Sequence, residues 1–228
     1  MLPLILHIDT ATEYASICLT QGDRILGMRV SPDQKQHGAF VQPAIQALMQ
    51  ENDLNLTALN AIAVTEGPGS YTGLRVSMAS AKGLCYALDK PLITISTLKV
   101  MALAAQIKHG KDYPQAIYCP LIDARRMEVF TALYDGHLEP IATPSAMILD
   151  SASFKELVDN QIIVFSGTGA PKFKAVLNHP NALFSAVQHD ASHLAILAIQ
   201  AHEKAAFANL AYAEPYYLKA FYSAPAKK

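Results

Sequence analysis

Short apolar runs along the first half of the chain alternate with segments in which apolar residues recur at helical spacing. The runs at residues 4–9, 14–20 and 24–30 have the length and composition of strands, and Gln21-Gly22-Asp23 is typical of a hairpin turn. Apolar side chains three and four positions apart then predict an amphipathic helix over residues 38–51. A three-stranded meander followed by a helix is therefore expected at the start of the chain.

Two strand–helix pairs complete the first half. Strands are predicted over residues 61–65 and 92–96, and helices over residues 72–88 and 98–108. A meander that continues into β-α-β-α is the half-unit of the ribonuclease-H-like or actin-like fold. The pattern thus predicts an α/β protein with an N-terminal actin-like lobe over residues 1–108.

The second half resembles a less regular copy of the first. Its elements are expected as strands at residues 116–123, 128–134 and 162–165, a surface connection at 140–153 and a final helix at 193–207. Gly, Lys, Asp and Pro cluster at residues 109–114 and mark the lobe boundary. We therefore expect a reduced C-terminal actin-like lobe over residues 109–228, whose final helix could pack back on the first lobe.

Composition and charge limit the classes of protein to which the chain can belong. Apolar residues make up 51% of its 228 residues and charged ones 16%, which indicates a folded globular protein. The formal net charge of −1, without a block of lysine or arginine, disfavours nucleic-acid binding by this chain alone. Three isolated cysteines suit a reducing compartment, and no stretch fits a signal peptide or a membrane span. We expect a cytoplasmic protein that has no membrane partner.

The most informative segment is Gly-Pro-Gly-Ser-Tyr-Thr-Gly-Leu-Arg, residues 67–75, which lies between a predicted strand and a predicted helix. A strand, a glycine turn built on Gly67 and Gly69 and a helix start together form an anion-binding geometry, and Ser70 or Thr72 can cap the helix. The alternative is an ordinary tight turn that only reverses the chain. The segment has no Gly-Lys-Ser/Thr ending, so it is not a P-loop.

This segment, together with Ala81-Lys82-Gly83, resembles the signature of the TsaB (YeaZ) family, and the resemblance extends along nearly the whole chain. The further matching segments are Ile8 to Glu13, Pro91 to Leu98, Ile122 to Arg125, Glu128 to Phe130 and Ala213 to Leu218. That family is the non-catalytic partner subunit in bacterial synthesis of threonylcarbamoyladenosine in tRNA. The resemblance implies an actin-like fold of two lobes with the second reduced.

The resemblance also implies the partners. The chain is expected to pair with a metal-bearing TsaD-type catalytic subunit, or with itself when that subunit is missing, and a TsaE-type P-loop ATPase is the expected third member. The pair would modify the adenosine next to the anticodon of tRNAs that read codons beginning with A. On this view tRNA is reached only through the complex, ATP or ADP could bind at the complex interface, and this chain binds no cofactor tightly.

A catalytic metal site is not expected in this chain. The TsaD family carries His-x-x-x-His at the start of the helix after the strand at 92–96, and two histidines four positions apart share one helix face. Alignment from Pro91 places Thr97 and Met101 at those positions. Neither side chain offers an imidazole, so the metal belongs to the partner subunit.

The turn after the first strand has two readings. Asp9, Thr10 and Thr12 stand where actin-like ATPases hold Mg²⁺ through water and bind phosphate, but the same residues favour a plain hairpin turn. Active ATPases of the fold usually have a glycine after the aspartate, where this chain has Thr10. Gly167 and Gly169 form a second glycine turn, in the region where related folds receive adenosine. We take these five positions as a vestigial nucleotide site.

Two other clusters contain side chains that could carry chemistry. His189 and His193 have ligand spacing, but Asp190 or Ser192 is expected to cap the final helix, which leaves His189 outside it. The dense charge group at residues 123–128 is interpreted as a surface pair between Arg126 and Glu128, with an interface role as the alternative.

Small residues four positions apart on the helix at 72–88 form a stripe that could contact another subunit, although the same stripe is expected if the helix only packs tightly on its own sheet. In the TsaB family this helix and the one at 38–51 make the contact with the catalytic subunit and the homodimer. By this resemblance the interface residues are expected to be Phe40, Val41, Ile45, Gly73, Arg75, Ser77, Met78 and Ala81.

Two alternative functions remain open at this level. An independent actin-like ATPase or sugar-kinase relative would need a fuller second lobe. A glycoprotease-like peptidase would need a nucleophile or a metal site, and neither a G-x-S-x-G elbow nor a cysteine at a glycine-flanked turn is present. We therefore assign no catalytic residue to the chain.

Overall fold

Two five-stranded sheets form the frame of the chain in the computed structural model, which describes residues 2–219. The first sheet has the order β3-β2-β1-β4-β5. Its strands are β1 (Leu4–Asp9), β2 (Ala15–Gln21), β3 (Arg24–Ser31), β4 (Ala61–Gly67) and β5 (Leu92–Ser96). Strand β1 is antiparallel to β2 and parallel to β4, and β4 is parallel to β5. The predicted meander and β-α-β continuation are confirmed.

The second sheet repeats that order, as β8-β7-β6-β9-β10. Its strands are β6 (Ile117–Asp123), β7 (Glu128–Tyr134), β8 (Pro140–Ile148), β9 (Ile163–Ser166) and β10 (Ala182–Phe184). The prediction of a surface connection at 140–153 is wrong, because most of that segment is the edge strand β8. An edge strand tolerates its prolines, since half of its N–H groups have no ladder partner, and most of its side chains are exposed.

The helices of the first lobe are long and those of the second are short. They are α1 (His37–Glu51), α2 (Tyr71–Leu88), α3 (Thr97–His109), α4 (Lys155–Asn160), α5 (Ala170–Lys174) and α6 (Ala191–Glu203). The reduction of the second lobe therefore lies in its helices and not in the number of its strands. The final helix begins and ends earlier than the predicted 193–207.

Helices α3 and α6 each pack on the sheet of the other half. Helix α3 buries Leu98 and Met101 in one cluster with Tyr118 and Val164 of the second sheet. Helix α6 packs on the first sheet, opposite the face covered by α1 and α2. The division of the sequence after residue 108 stays a prediction, and its end at residues 220–228 lies outside the described residues.

The segment after α6 runs along the first lobe and reaches the second. Ala208 N–H donates to the Leu92 carbonyl at 2.8 Å, and Tyr216 N–H donates to the Glu66 carbonyl at 2.7 Å. Lys219 Nζ then lies 2.5 Å from the Glu128 carboxylate of the second sheet. Among the helices of residues 2–219, none has the length and apolarity required to cross a bilayer.

Candidate functional site

Asp9 is the last residue of β1, and both oxygens of its carboxylate interact with other groups of the protein. Its Oδ1 accepts from Ala11 N–H at 3.1 Å and from the Thr65 hydroxyl at 2.9 Å, and its Oδ2 lies 3.4 Å from His189 Nε2. Burial raises the pKa of Asp9, but the hydrogen bond and charge of His189, with those from Ala11 and Thr65, bring that pKa below its ordinary value. Asp9 is 1% exposed. A metal ion held here would have to displace the imidazole.

The residues after Asp9 bond to the start of α2 instead of facing an open site. The Thr10 hydroxyl donates to the Gly73 carbonyl at 2.7 Å, and Ser70 N–H donates to the Ala11 carbonyl at 2.7 Å. The Ser70 hydroxyl accepts from Gly73 N–H at 3.3 Å, so Ser70 and not Thr72 caps α2. Two N–H groups at the N-terminus of α2 are therefore used within the protein. Thr10 is fully buried, and Thr12 is nearly so.

Close backbone approach explains the glycines of this turn. A Cβ on Gly69 would lie 2.2 Å from the Ala11 carbonyl oxygen, and one on Gly73 would lie 2.0 Å from that of Thr10. Gly67 has φ +124°, and a Cβ there would lie 2.5 Å from the Tyr216 carbonyl oxygen. The turn is thus a packing junction between β1, α2 and the segment after α6.

The glycine turn after β9 is a second junction of the same kind. Gly167 has φ +90°, and a Cβ there would lie 2.2 Å from Met101 Cε. Gly169 N–H donates to the Leu121 carbonyl at 2.8 Å. Met101, at a position where the TsaD family carries a histidine, therefore packs on the turn that related folds use for adenosine. Thr97, at the other such position, is fully buried, and its hydroxyl has no partner among residues 2–219.

Two cavities open between the lobes, one on each side of Thr12. The first, of about 450 Å³, is lined mainly by apolar surface, and its polar side chains include Thr12, Thr168, Lys174, Ser185, Gln188 and His189. Its apolar lining includes Tyr14, Met101, Pro171, Phe184 and Val187. The second cavity, of about 670 Å³, is lined by Glu13, Gln34, Ser70, Thr72, Asp123 and Arg125 together with other residues. The structure therefore brings Thr12 and Gly167 to one apolar cavity, whereas Asp9 lines neither.

The histidine pair does not form a joint site. His193 Nδ1 lies 3.0 Å from the Asp190 carboxylate, and Asp190 caps α6 through Ser192 N–H at 2.9 Å. His189 lies outside the helix and pairs with Asp9, 180 positions away in sequence, so no local signal could have revealed that contact. Within residues 2–219 no group of three or more His, Cys, Asp or Glu side chains is arranged to hold a metal ion.

The small-residue stripe of α2 is part of the core, which corrects most of the interface assignment. Six of the eight expected residues are buried within the chain: Val41, Ile45, Gly73, Ser77, Met78 and Ala81. Their small side chains let α2 lie close to the first sheet and to α1. Of the expected set only Phe40, half-buried, and Arg75, exposed, reach the surface. A contact with another subunit would have to use the outer faces of the two helices.

Those outer faces carry little charge. On α1 the exposed residues include Ala39, Gln42 and Gln46, and on α2 they include Ala79 and Gly83. Tyr86 projects from α2 with 85% of its surface exposed. A surface of small and uncharged side chains costs little to desolvate when another protein covers it.

The charge group at 123–128 differs from its prediction. Glu128 pairs with Lys219, not with Arg126, and Asp123 pairs with Lys172 at 2.9 Å. The sequence could not reveal this arrangement, because both lysines come from distant elements. Arg125 and Arg126 lie exposed on the turn between β6 and β7.

The duplicated sheets, the swapped helices and the cleft between the lobes define an actin-like protein. The crystal structure of an inorganic polyphosphate/ATP-glucomannokinase from Arthrobacter sp. strain KM has a TM-score of 0.51, with 11% identity, and covers 88% of this chain and 99% of that one. At that identity the likeness shows the fold alone.

A family model described as "TsaD: tRNA N6-adenosine threonylcarbamoyltransferase" matches residues 25–224. The chain belongs to this family and, within it, to the TsaB (YeaZ) proteins, as its motifs predicted. The crystal structure of YeaZ from Pseudomonas aeruginosa has a TM-score of 0.80 with 26% identity, and covers 95% of this chain and 100% of that one.

Sequence relatives agree with this placement. The tRNA threonylcarbamoyladenosine biosynthesis protein TsaB of Bacillus subtilis is 32% identical over 64% of this chain and 62% of its own length. The protein of the same name from Escherichia coli is 37% identical over 57% of this chain and 54% of its own. The chain thus spans between half and two thirds of the length of these two relatives.

Proposed function

We propose that the chain acts in the synthesis of threonylcarbamoyladenosine in tRNA, as the non-catalytic partner of a TsaD-type subunit. The observation that carries this proposal is the state of Asp9, whose two carboxylate oxygens are taken by Ala11, Thr65 and His189. Thr97 and Met101 at the expected metal-ligand positions support it further. Because the Asp9 carboxylate is bonded within the protein and Thr97 and Met101 offer no imidazole, neither position supplies a metal ligand, and the subunit would support its partner by shape.

The names of the relatives supply the substrate class of this proposal. The partner would transfer the threonylcarbamoyl group to the adenosine next to the anticodon of tRNAs that read codons beginning with A. This chain would act in the cytoplasm, with a TsaE-type P-loop ATPase as the third member of the assembly.

The apolar cavity between the lobes is where we would place a nucleotide if one binds. Its 450 Å³ and its ring-bearing wall suit an adenosine moiety. Because the Asp9 carboxylate is engaged by Ala11, Thr65 and His189, it is not offered to the magnesium of ATP or ADP, and the remaining ligands would come from the partner subunit. The metal of the complex would likewise belong to the partner.

The partner would cover the outer faces of α1 and α2. These helices pack side by side and present Ala39, Gln46, Ala79 and Gly83 to solvent. In the absence of the partner, the same face would pair with a second copy of the chain. Six of the residues first expected in this contact lie beneath it and support it from the core.

Omission and restoration of the chain test the proposal. A TsaD-type subunit, a TsaE-type subunit, the small-molecule substrates and an unmodified tRNA would be combined with and without this chain, and modified adenosine would be measured by mass spectrometry. We expect formation only when the chain is present, and no ATP hydrolysis or peptide cleavage by the chain alone. Hydrolysis by the chain alone would favour an actin-like ATPase or sugar kinase, and cleavage a peptidase.

A further inference from the structure

The turn between β6 and β7 holds two arginines in a conformation that side chains rarely adopt. Arg125 has φ +73° and Arg126 has φ +50°, and neither is a glycine. Arg125 N–H donates to Asp123 Oδ1 at 2.6 Å, and Glu128 N–H donates to the Arg125 carbonyl at 3.0 Å. Backbone in the left-handed region persists only where the surroundings enforce it, and it concentrates at functional sites.

Lys172 of α5 donates hydrogen bonds that fix the backbone of this turn. Its ammonium donates to the carbonyls of Arg126 at 2.9 Å and Glu128 at 2.6 Å, and to the Asp123 carboxylate at 2.9 Å. The lysine side chain is 16% exposed, and its ammonium group interacts with two backbone carbonyls and one carboxylate rather than with solvent. The turn therefore presents its two arginines from a fixed base.

The local charge is unbalanced. Asp123 is paired with Lys172 and Glu128 with Lys219. Over the range 2–219, neither the Arg125 nor the Arg126 guanidinium has a hydrogen bond or an ion pair. Two positive charges thus remain uncompensated on a protein whose net charge is −1.

The two arginines stand at the rim of the cleft and are open to solvent. Arg125 lines the 670 Å³ cavity with Ser70, Thr72 and Thr168, and it also lines an outer hollow of about 590 Å³ that Arg126 and Lys219 share. A long ligand could pass over this rim from one hollow to the other. A small ligand enclosed in the cleft would contact Arg125 alone.

We propose that Arg125 and Arg126 bind consecutive phosphates of an RNA backbone, so that this turn touches tRNA directly in the assembled complex. The inference rests on the proposed function, which supplies the RNA. A guanidinium group can donate two parallel hydrogen bonds to one phosphate. The guanidiniums of Arg125 and Arg126 are available for this, because neither has a hydrogen bond or an ion pair within residues 2–219. Two phosphate contacts are too few to bind RNA without the partner subunit, which is consistent with the low net charge.

A free nucleotide is the other source of phosphate, and the geometry disfavours it. The carboxylate that would hold its magnesium is Asp9, which is buried against His189. Arg126 faces the outer hollow and lines neither cavity of the cleft. An extended polyanion uses both arginines, whereas a nucleotide in the cleft uses one.

The test measures the affinity of the complex with its TsaD-type partner for an unmodified tRNA transcript at several salt concentrations. For Arg125→Ala with Arg126→Ala we expect about a tenfold loss at low salt, and a salt slope that is smaller by about 1.4–1.8, because each phosphate contact contributes about 0.7–0.9. The control is Arg24→Ala with Lys108→Ala, since both residues are exposed, one at the start of β3 and the other near the end of α3, and the pair removes the same charge. It should leave both quantities unchanged.

Three outcomes would overturn the inference: an unchanged slope in the double variant, an equal loss in the control, or competition by ATP that removes the wild-type advantage. Melting curves of the purified chain must coincide for all variants, and Arg125→Lys with Arg126→Lys should restore most of the slope. If the wild-type complex binds the transcript and none of the variants differs, this inference fails while the proposed function stands. If the wild-type complex makes no modified adenosine, the proposed function itself fails.

Discussion

The turns that follow the first strand of each sheet occupy equivalent places in the two halves, yet they are built in opposite ways. After β1, the turn at residues 10–14 begins with buried side chains, of which Thr10 is bonded to α2, and the preceding Asp9 is buried against His189. After β6, the turn at 124–127 exposes Arg125 and Arg126, whose guanidiniums have no hydrogen bond or ion pair within residues 2–219. In the first half of the fold this turn is packed into the core, whereas in the second half it forms a positively charged surface.

The buried turn after β1 is bonded to the start of α2, so it depends on the packing of that helix. Ala81 lies on the buried stripe of that helix, while Ala79 lies on its outer face. We expect Ala81→Arg to unfold the chain or to cost at least about 4 kcal/mol, because it buries an unpaired charge. Ala79→Arg should leave the unfolding free energy within about 0.5 kcal/mol and weaken binding to the TsaD-type partner. Urea denaturation and a pull-down of both variants measure the two effects. Equal stability of the two variants would contradict the buried stripe.

The glycine contact between the closed turn and α2 should be the next most sensitive. A Cβ on Gly73 meets the Thr10 carbonyl, whereas a Cβ on Gly83 of the same helix meets nothing. We expect Gly73→Ala to lower the unfolding free energy by about 2–4 kcal/mol and Gly83→Ala to raise it by about 0.5–1 kcal/mol. Chemical denaturation of both variants measures the difference. If Gly73→Ala were neutral, the closed turn would be looser than described.

Acid should weaken the closed turn through protonation of Asp9. The pKa of Asp9 lies below its ordinary value of 3.8 in the folded chain, so the carboxylate stabilises the fold above that pH, and this stability is lost as pH falls through the native pKa. The difference in unfolding free energy between wild type and Asp9→Asn should therefore shrink as pH falls from 6 to 3. Denaturation series at several pH values measure it. A difference that does not vary with pH would mean that Asp9 is not charged in the folded chain.

A substitution in the exposed turn between β6 and β7 should change the unfolding free energy least. The Arg126 side chain has no hydrogen bond or ion pair within residues 2–219 and its backbone is left-handed, so Arg126→Gly removes strain without the loss of a polar interaction. We expect the unfolding free energy to rise by about 0.5 kcal/mol, which is the relief of left-handed strain less the entropy cost of glycine. A loss above about 1 kcal/mol in denaturation experiments would show that the arginine has a structural role.

How far the sequence could predict these features depends on how local their causes are. The meander, helices α1 to α3 and strand β9 follow from apolar spacing within single segments, and all were predicted. The edge strand β8 was missed because its side chains are mostly exposed and its prolines suggest a loop. The α2 stripe was assigned to a surface because small residues at helical spacing fit a core contact and a subunit contact equally well.

The site contacts are the part that sequence could not provide. Asp9 and His189 are joined by the packing of α6 on the first sheet, and Glu128 and Lys219 by the return of the C-terminal segment. No periodicity links positions that far apart. The need for glycine at 69 and 73 comes from close approach to the carbonyls of Ala11 and Thr10, and the sequence does not reveal those neighbours.

The central claim is that this chain supports the modification of tRNA without performing chemistry at Asp9. The most direct measurement is the rate of threonylcarbamoyladenosine formation by a reconstituted assembly that contains Asp9→Asn, an isosteric change without the charge, at a temperature where the variant is folded. We expect the rate of threonylcarbamoyladenosine formation to lie within about twofold of wild type at equal complex concentration. A loss of a hundredfold or more in an intact complex would show that Asp9 is catalytic and would contradict the account.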